Sequence, residues 1–255
     1  MGTFALDSFF LILGRLSGLF ISAPIFSSKQ IPVTVKALLL AVLAATLACF
    51  VPVSYGIQVE NLGQFTAAMV VEIFVGYIIG FTVYILLGAI QLAGQIMDMQ
   101  MGFAIVNVVD PQSGAQIPLM GNLTQVLALL MYLAVDGHHY LLQAIVHSYK
   151  IIPVLGLNLS GDFYQLIVQI SVYMFVIAVK IAAPILVVTM IADIAMGFMA
   201  RTVPQMNVFI VGLPLKIIVG LIALCIFLPV YLWIFNILFD RFFVYLDQMI
   251  MVLGV

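Results

Sequence analysis

The chain alternates long stretches of Leu, Ile, Val, Phe and Ala with short polar breaks. Apolar runs occupy about residues 8–27, 36–54, 65–93, 119–135, 138–155, 164–200 and 207–239. Hydrocarbon about 30 Å thick needs roughly 20 apolar residues at about 1.5 Å each. Only structures that close their own backbone hydrogen bonds survive there, so these runs predict helices. The run 138–155 is short and holds His147 and Lys150, which leaves a half-hairpin as an alternative to a full span. A last stretch, 240–253, carries Asp240, Arg241 and Asp247 and is amphipathic. The expected fold class is all-α: a polytopic integral membrane protein with long helical hairpins.

The breaks have recognisable turn chemistry. Ser27-Ser28-Lys29-Gln30-Ile31-Pro32 follows the first run, and Pro52, Ser54, Tyr55 and Gly56 close the second. Asn107 to Pro118 holds Asp110-Pro111 and Ser113-Gly114, and Arg201-Thr202-Val203-Pro204-Gln205 separates the last two long runs. Lys29 and Lys36 lie in the first loop and Arg201 and Lys216 flank the last. If both loops are cytoplasmic under the positive-inside rule, both termini lie outside.

Two runs are too long for a simple bundle. As single helices, 164–200 and 207–239 would measure about 55 and about 50 Å. Tilt and kinks at Pro184 and Pro214 absorb some of the excess. The rest would project beyond the bilayer while still apolar, at about 25 cal/mol per Å² of surface left in water. Cover by other subunits in a hetero-oligomeric helical assembly resolves this, with a steeply tilted or broken span as the competing explanation. Gly14 and Gly18, and Gly76 and Gly80, are spaced i, i+4, which lets helix backbones approach closely in lipid.

Composition agrees. Of 255 residues 65% are hydrophobic and 7% charged, against roughly 25% charged in soluble domains. Mean hydropathy is +1.31. A net charge of −2 with scattered Lys and Arg argues against a nucleic-acid partner. Cys49 and Cys225 lie in apolar runs without a CxxC or Cys/His cluster, so both are expected to be small packing residues. Asp7 and Arg15 stand where a signal peptide would have its basic and apolar regions, so none is expected.

Five charges fall within or beside apolar runs: Arg15, Glu72, Asp98, Lys180 and Asp193. Each would cost about 2.5–3.5 kcal/mol at a helix centre. They mark either a pathway or relay, or ion pairs and hydrogen bonds that fix the assembly; no two acids at helical spacing suggest a relay, which favours the second. His138 and His139 follow Asp136-Gly137, and only His147 lies nearby, so a polar turn accounts for them better than a metal or an enzyme site. No cofactor is implied, and no GxSxG, HExxH or DxD pattern occurs. The stretch Gly94-Gln95-Ile96-Met97-Asp98-Met99-Gln100-Met101-Gly102-Phe103 alternates methionines between glycines. Flexible, polarisable Met side chains suit a loop or gasket in a pore, with an ordinary exterior loop as the plain alternative.

Four blocks, in order across most of the chain, resemble the flagellar biosynthetic FliR family, the equivalent of the T component of injectisomes. They are Arg15-Leu16-Ser17-Gly18 with Ser22-Ala23-Pro24-Ile25-Phe26 and Ile31-Pro32-Val33-Thr34-Val35-Lys36; Gly94 to Phe103 through Val109-Asp110-Pro111; Asp136-Gly137-His138-His139; and Gly197-Phe198-Met199-Ala200-Arg201-Thr202-Val203-Pro204-Gln205-Met206-Asn207-Val208 with Gly212-Leu213-Pro214-Leu215-Lys216. The resemblance implies a structural and gating subunit, not an enzyme, in the bacterial inner membrane at the flagellar basal body. It implies FliP-like, FliQ-like and FlhB-like partners, an unfolded protein substrate, a FliP-like part at 1–160 and a FliQ-like long hairpin at 161–255. It also implies that 106–118 plugs the lumen, here through Val109, Asp110, Pro111, Gln112, Ser113, Gly114, Ala115, Gln116 and Ile117. Met97, Met99, Met101 and Phe103 are the gasket candidates, and Arg201, Pro204 and Gln205 the hairpin tip. Family members often place an aromatic before the Asp-Pro pair; this chain has Val108 and Val109. An injectisome gate subunit, a secondary transporter and an intramembrane enzyme at Asp136, His138 and His139 are the alternatives.

Overall fold

The computed structural model describes residues 2–28, 30–50, 61–103, 118–203, 205 and 207–254. These form α1 (Gly2–Ser22), α2 (Val33–Phe50), α3 (Leu62–Met101), α4 (Leu119–Ala134), α5 (Gly137–Ile151), α6 (Gly161–Thr202) and α7 (Val208–Gly254). Four of them, α2, α3, α6 and α7, are long and apolar enough to cross a membrane; α4 and α5, bent by 65° at their junction, add a fifth span if counted together. The chain is thus a polytopic all-helical membrane protein. At 40, 42 and 47 residues, α3, α6 and α7 have contours of about 60–70 Å, twice the hydrocarbon thickness. The amphipathic stretch 240–253 is no separate element: it continues α7, which passes Pro214 and Pro229 without ending.

Two compact units divide the chain. The first gathers Met1–Leu86, Leu133–Ser171 and Phe239–Val255. Its centre is the packing of α1 on α3, which the glycines make possible. A Cβ on Gly18 would collide with the Ile73 carbonyl, one on Gly76 with the Arg15 carbonyl, and one on Gly80 with the Ser22 hydroxyl. Backbone therefore meets backbone, and Ser22 Oγ donates to the Tyr77 carbonyl at 3.0 Å across the contact. Leu11, Leu16, Leu19, Val75, Ile79 and Leu86 are fully buried in this unit. Around it, α5 buries Leu141, Ala144, Ile145 and Tyr149 and exposes Asp136, His139, Gln143, His147 and Lys150 at helical spacing. The end of α7 supplies Phe239, Phe242, Leu246 and Leu253, all buried. Helix α2 buries only Ala44.

The second unit comprises Leu87–Tyr132 and Val172–Leu238. Here α3 and α4 meet at Gly94 and Gly121, where a Cβ on Gly94 would strike the Gly121 Cα. Cys49 on α2 and Cys225 on α7 are exposed, so neither packs in a core of this chain, contrary to the sequence expectation. An apolar run gives a residue no core position when its helix shows that face outward.

The glycine contacts yield a clear expectation. Gly76→Ala should lower stability by about 1–3 kcal/mol or more, because the obstructing atom is backbone and cannot swing away. Gly197, with nothing within 4 Å of its would-be Cβ, should tolerate alanine or gain slightly from helix propensity. Thermal unfolding of both variants in detergent measures the contrast.

Candidate functional site: the frame around residues 104–117

The proposed plug, Val109 to Ile117, lies outside the described residues, as does Pro204. The structure does show what holds the two ends of the segment. Helix α4 begins after Pro118, which has no side-chain group to cap the first free N–H groups of a helix. Asp98, one turn before the end of α3, fills that role from a distance. Its Oδ1 accepts the Met120 N–H at 2.9 Å and its Oδ2 the Gly121 N–H at 3.1 Å. A carboxylate at a helix N-terminus also gains from the helix dipole. Gly94, four residues before Asp98, removes the side chain that would keep α4 away. Thr124 Oγ1 donates to the Met120 carbonyl at 2.8 Å.

The other end is fixed by methionines. The stretch Gly94–Met101 was expected to be loop, yet α3 runs through Met101. Met97 and Met101, spaced i, i+4, share the buried face at 0% exposure, whereas Met99 points outward at 72%. Met101 packs against Gly220 of α7, and the Tyr231 hydroxyl lies 3.8 Å from the Met97 sulfur. Met97 and Met101 are therefore packing residues of the second unit, which leaves Met99 as the methionine free to face a neighbour. Gly102 leaves the helix at φ 91, a conformation that suits glycine, and Phe103 beyond it is half-buried.

A polar chain links α3, α6 and α7 in the same unit. Asp193 Oδ1 pairs with Lys216 Nζ at 2.5 Å, and Gln100 Nε2 donates to Asp193 Oδ2 at 3.4 Å. Sequence alone did not pair Asp193, because its partner lies across the hairpin. At the tip, Arg201 in the last turn of α6 and Gln205 in the following turn are exposed.

In the first unit Arg15 is fully buried, as is Glu72. Arg15 Nε and Nη2 donate to both Glu72 carboxylate oxygens at 2.6 and 2.9 Å. Nη1 donates to Ser148 Oγ at 2.8 Å and Nη2 also to the Ile152 carbonyl at 3.1 Å. The guanidinium lies 3.8 Å from the Tyr149 ring centroid, a cation–π contact. One cation thus ties α1, α3 and α5. Lys180, the fifth singled-out charge, is exposed, and its side chain makes no hydrogen bond or ion pair among the described residues.

Asp136, His138 and His139 come together at the α4–α5 bend, with candidate ligand atoms within 4.8 Å of one another. Asp136 adopts φ 54 there. Its carboxylate meets His139 Nδ1 at 3.2 Å with both side chains largely exposed, the arrangement of a polar surface turn.

The model of the family described as "Bacterial export proteins, family 1" matches residues 6–242. The chain belongs to this export family. Among similar proteins, the flagellar biosynthetic protein FliR of Bacillus subtilis (strain 168) is 38% identical over 88% of this chain and 86% of its own length. FliR of Escherichia coli (strain K12) is 28% identical over 88% and 85%. FliR of Aquifex aeolicus (strain VF5) is 26% identical over 84% and 83%. The export-family match takes in Arg15, Glu72, Asp98, Lys180, Asp193 and Lys216.

Two outcomes follow from the geometry. Arg15→Met should cost about 3–5 kcal/mol, since it strands a buried carboxylate, and Arg15→Met combined with Glu72→Met should recover most of that loss; unfolding in detergent reports both. Asp98→Ala should cost about 1–2 kcal/mol, as for loss of an N-cap, and speed amide exchange at Met120 and Gly121.

Proposed function

We propose that this chain is a structural and gating subunit of a flagellar protein export gate in the bacterial inner membrane. The observation that carries it is the uncovered apolar length of the hairpin. In the most apolar windows of α6 and α7 only 33% and 22% of residues are buried within the chain. Helices of 42 and 47 residues have about twice the length that lipid can cover. Their surplus apolar surface calls for protein neighbours, at about 25 cal/mol for each Å² removed from water. Similarity to flagellar biosynthetic proteins over 88% of the chain supports FliP-like, FliQ-like and FlhB-like subunits as those neighbours and unfolded flagellar subunits as the cargo.

In this reading the 106–118 loop closes the path when no cargo is present, by steric fit and poor wetting rather than chemistry. The capped start of α4 and the methionine-packed end of α3 hold its two ends. The energy for transport comes from elsewhere in the apparatus.

Mass spectrometry of the protein co-expressed with its genomic neighbours and extracted in mild detergent tests the assembly. One copy with several copies of two small helical membrane proteins is expected; a monomer or homodimer would move a transporter reading to the front. Deleting residues 110–116 should make membranes leaky to small ions, and wild-type conductance in an assembled complex would end the plug assignment.

A further inference from the structure

The charges inside the helices can be accounted for one by one. Arg15 and Glu72 neutralise each other, Lys216 neutralises Asp193, and Asp98 caps α4. Of the five charges singled out within or beside the apolar runs, Lys180 alone has no side-chain partner among the described residues. It stands near the middle of α6, 18 residues after Asp162 and 13 before Asp193, with no other charged residue between them. The local backbone adds a second polar group, because Pro184 has no N–H to give to the Lys180 carbonyl. An ammonium donor and a carbonyl lacking its usual partner thus lie together in an apolar helix.

The residues on the same face say what surrounds them. At 100° per residue, Val176, Val187, Ile191, Ile194 and Phe198 fall within about 40° of Lys180 around the helix. They are 44%, 56%, 60%, 59% and 65% exposed. The stripe runs about 33 Å from Val176 to Phe198. A wall facing water would carry polar neighbours on both sides of the lysine; from Val176 to Phe198 this face has none, and its nearest polar side chains are Tyr173 and Gln169, toward the start of α6. Lipid tails would cover the Val, Ile and Phe side chains but not an ammonium among them, which costs about 2.5–3.5 kcal/mol at a helix centre on insertion scales. An apolar helix bearing one carboxylate satisfies every group on the face.

We propose that the Val176–Phe198 stripe of α6 is a subunit interface, and that Lys180 pairs there with an Asp or Glu side chain on an apolar helix of a neighbouring membrane subunit. The interface rests on the export-gate reading and goes beyond it by naming the face and the chemistry of the contact. The carboxylate answers the ammonium, and the stripe packs against the partner's apolar side chains in the manner of facing helices. In the low-dielectric setting of a packed apolar contact the pair fixes register as well as affinity, because sliding one helix turn separates the charges.

The experiment uses the complex co-purified with its neighbours. Photo-crosslinking residues placed at Val176 and Val187 should each link to one neighbouring helix that carries an Asp or Glu at the matching height. Lys180→Met should lower recovery of the intact complex about thirtyfold or more, the effect of stranding one member of a buried charge pair. Lys180→Glu combined with a partner carboxylate→Lys exchange should restore it. If the wild type assembles and Lys180→Met assembles equally well, the pairing is wrong while the gate reading stands; if the wild type is recovered alone, the gate reading itself fails. Rapid labelling of Lys180→Cys by a membrane-impermeant thiol reagent within the assembled complex overturns the interface in favour of a water-facing position.

Discussion

A guanidinium with no access to solvent is the constraint around which the first unit is built. Moving such an ion out of water costs several kcal/mol even after relaxation. Arg15 is tolerated because each side of its fork is met: two carboxylate oxygens of Glu72, the Ser148 hydroxyl, the Ile152 carbonyl and the face of Tyr149. These groups come from two stretches of chain, one 57 residues away and the other up to 137. They can converge only if α1 and α3 approach to backbone contact. Gly76, one turn beyond Glu72, touches the Arg15 carbonyl itself, so the glycine and the ion pair form a single device. A larger residue at 76 would push α1 away and lengthen the very bonds that neutralise the charge. Specificity comes with this, since a slip of α1 along α3 would strand both ions in an apolar medium.

The second unit repeats the logic with different parts. Gly94 brings α4 against α3, and Asp98, one turn further on, uses its charge on the bare N–H groups of α4. In each unit a glycine permits close approach and an acidic residue four positions away fixes the register. Where water is scarce, an unpaired donor or acceptor costs more than in a soluble protein, so a few such contacts carry information that a soluble core spreads over many.

Much of the fold was legible because apolar runs and Pro/Gly breaks are large signals: the extra-long α6 and α7 are visible in the residues alone, and the i, i+4 glycines mark where backbones can approach, though only the structure shows that α1 and α3 are the helices that meet. The end of α3 was not. Gly94, Gly102 and the alternating methionines looked like a loop, but Gly94 serves a helix contact, and the spacing of Met97 and Met101 was the helical signal hidden under the alternation. Charge partners were illegible for a different reason. Arg15 and Ser148 lie 133 residues apart, and nothing local encodes such a meeting. Cys49 and Cys225 show the converse limit: hydropathy says that a residue avoids water, not what covers it.

That last point separates the two halves of the candidate gate. The frame of 104–117 is closed within the chain, because Asp98, Gly121, Met101 and Gly220 satisfy one another. Pro118 and Phe103, on either side of the segment, are thus held by contacts within the chain. The outer faces of α2, α6 and α7 have no such closure: Leu38, Val187, Ile191, Phe198 and Trp233 are more than half exposed. A single chain cannot remove them from water beyond the span of one bilayer. The frame of the segment is therefore intrinsic to this polypeptide, whereas the outer faces of its long helices depend on lipid or on other chains for their cover.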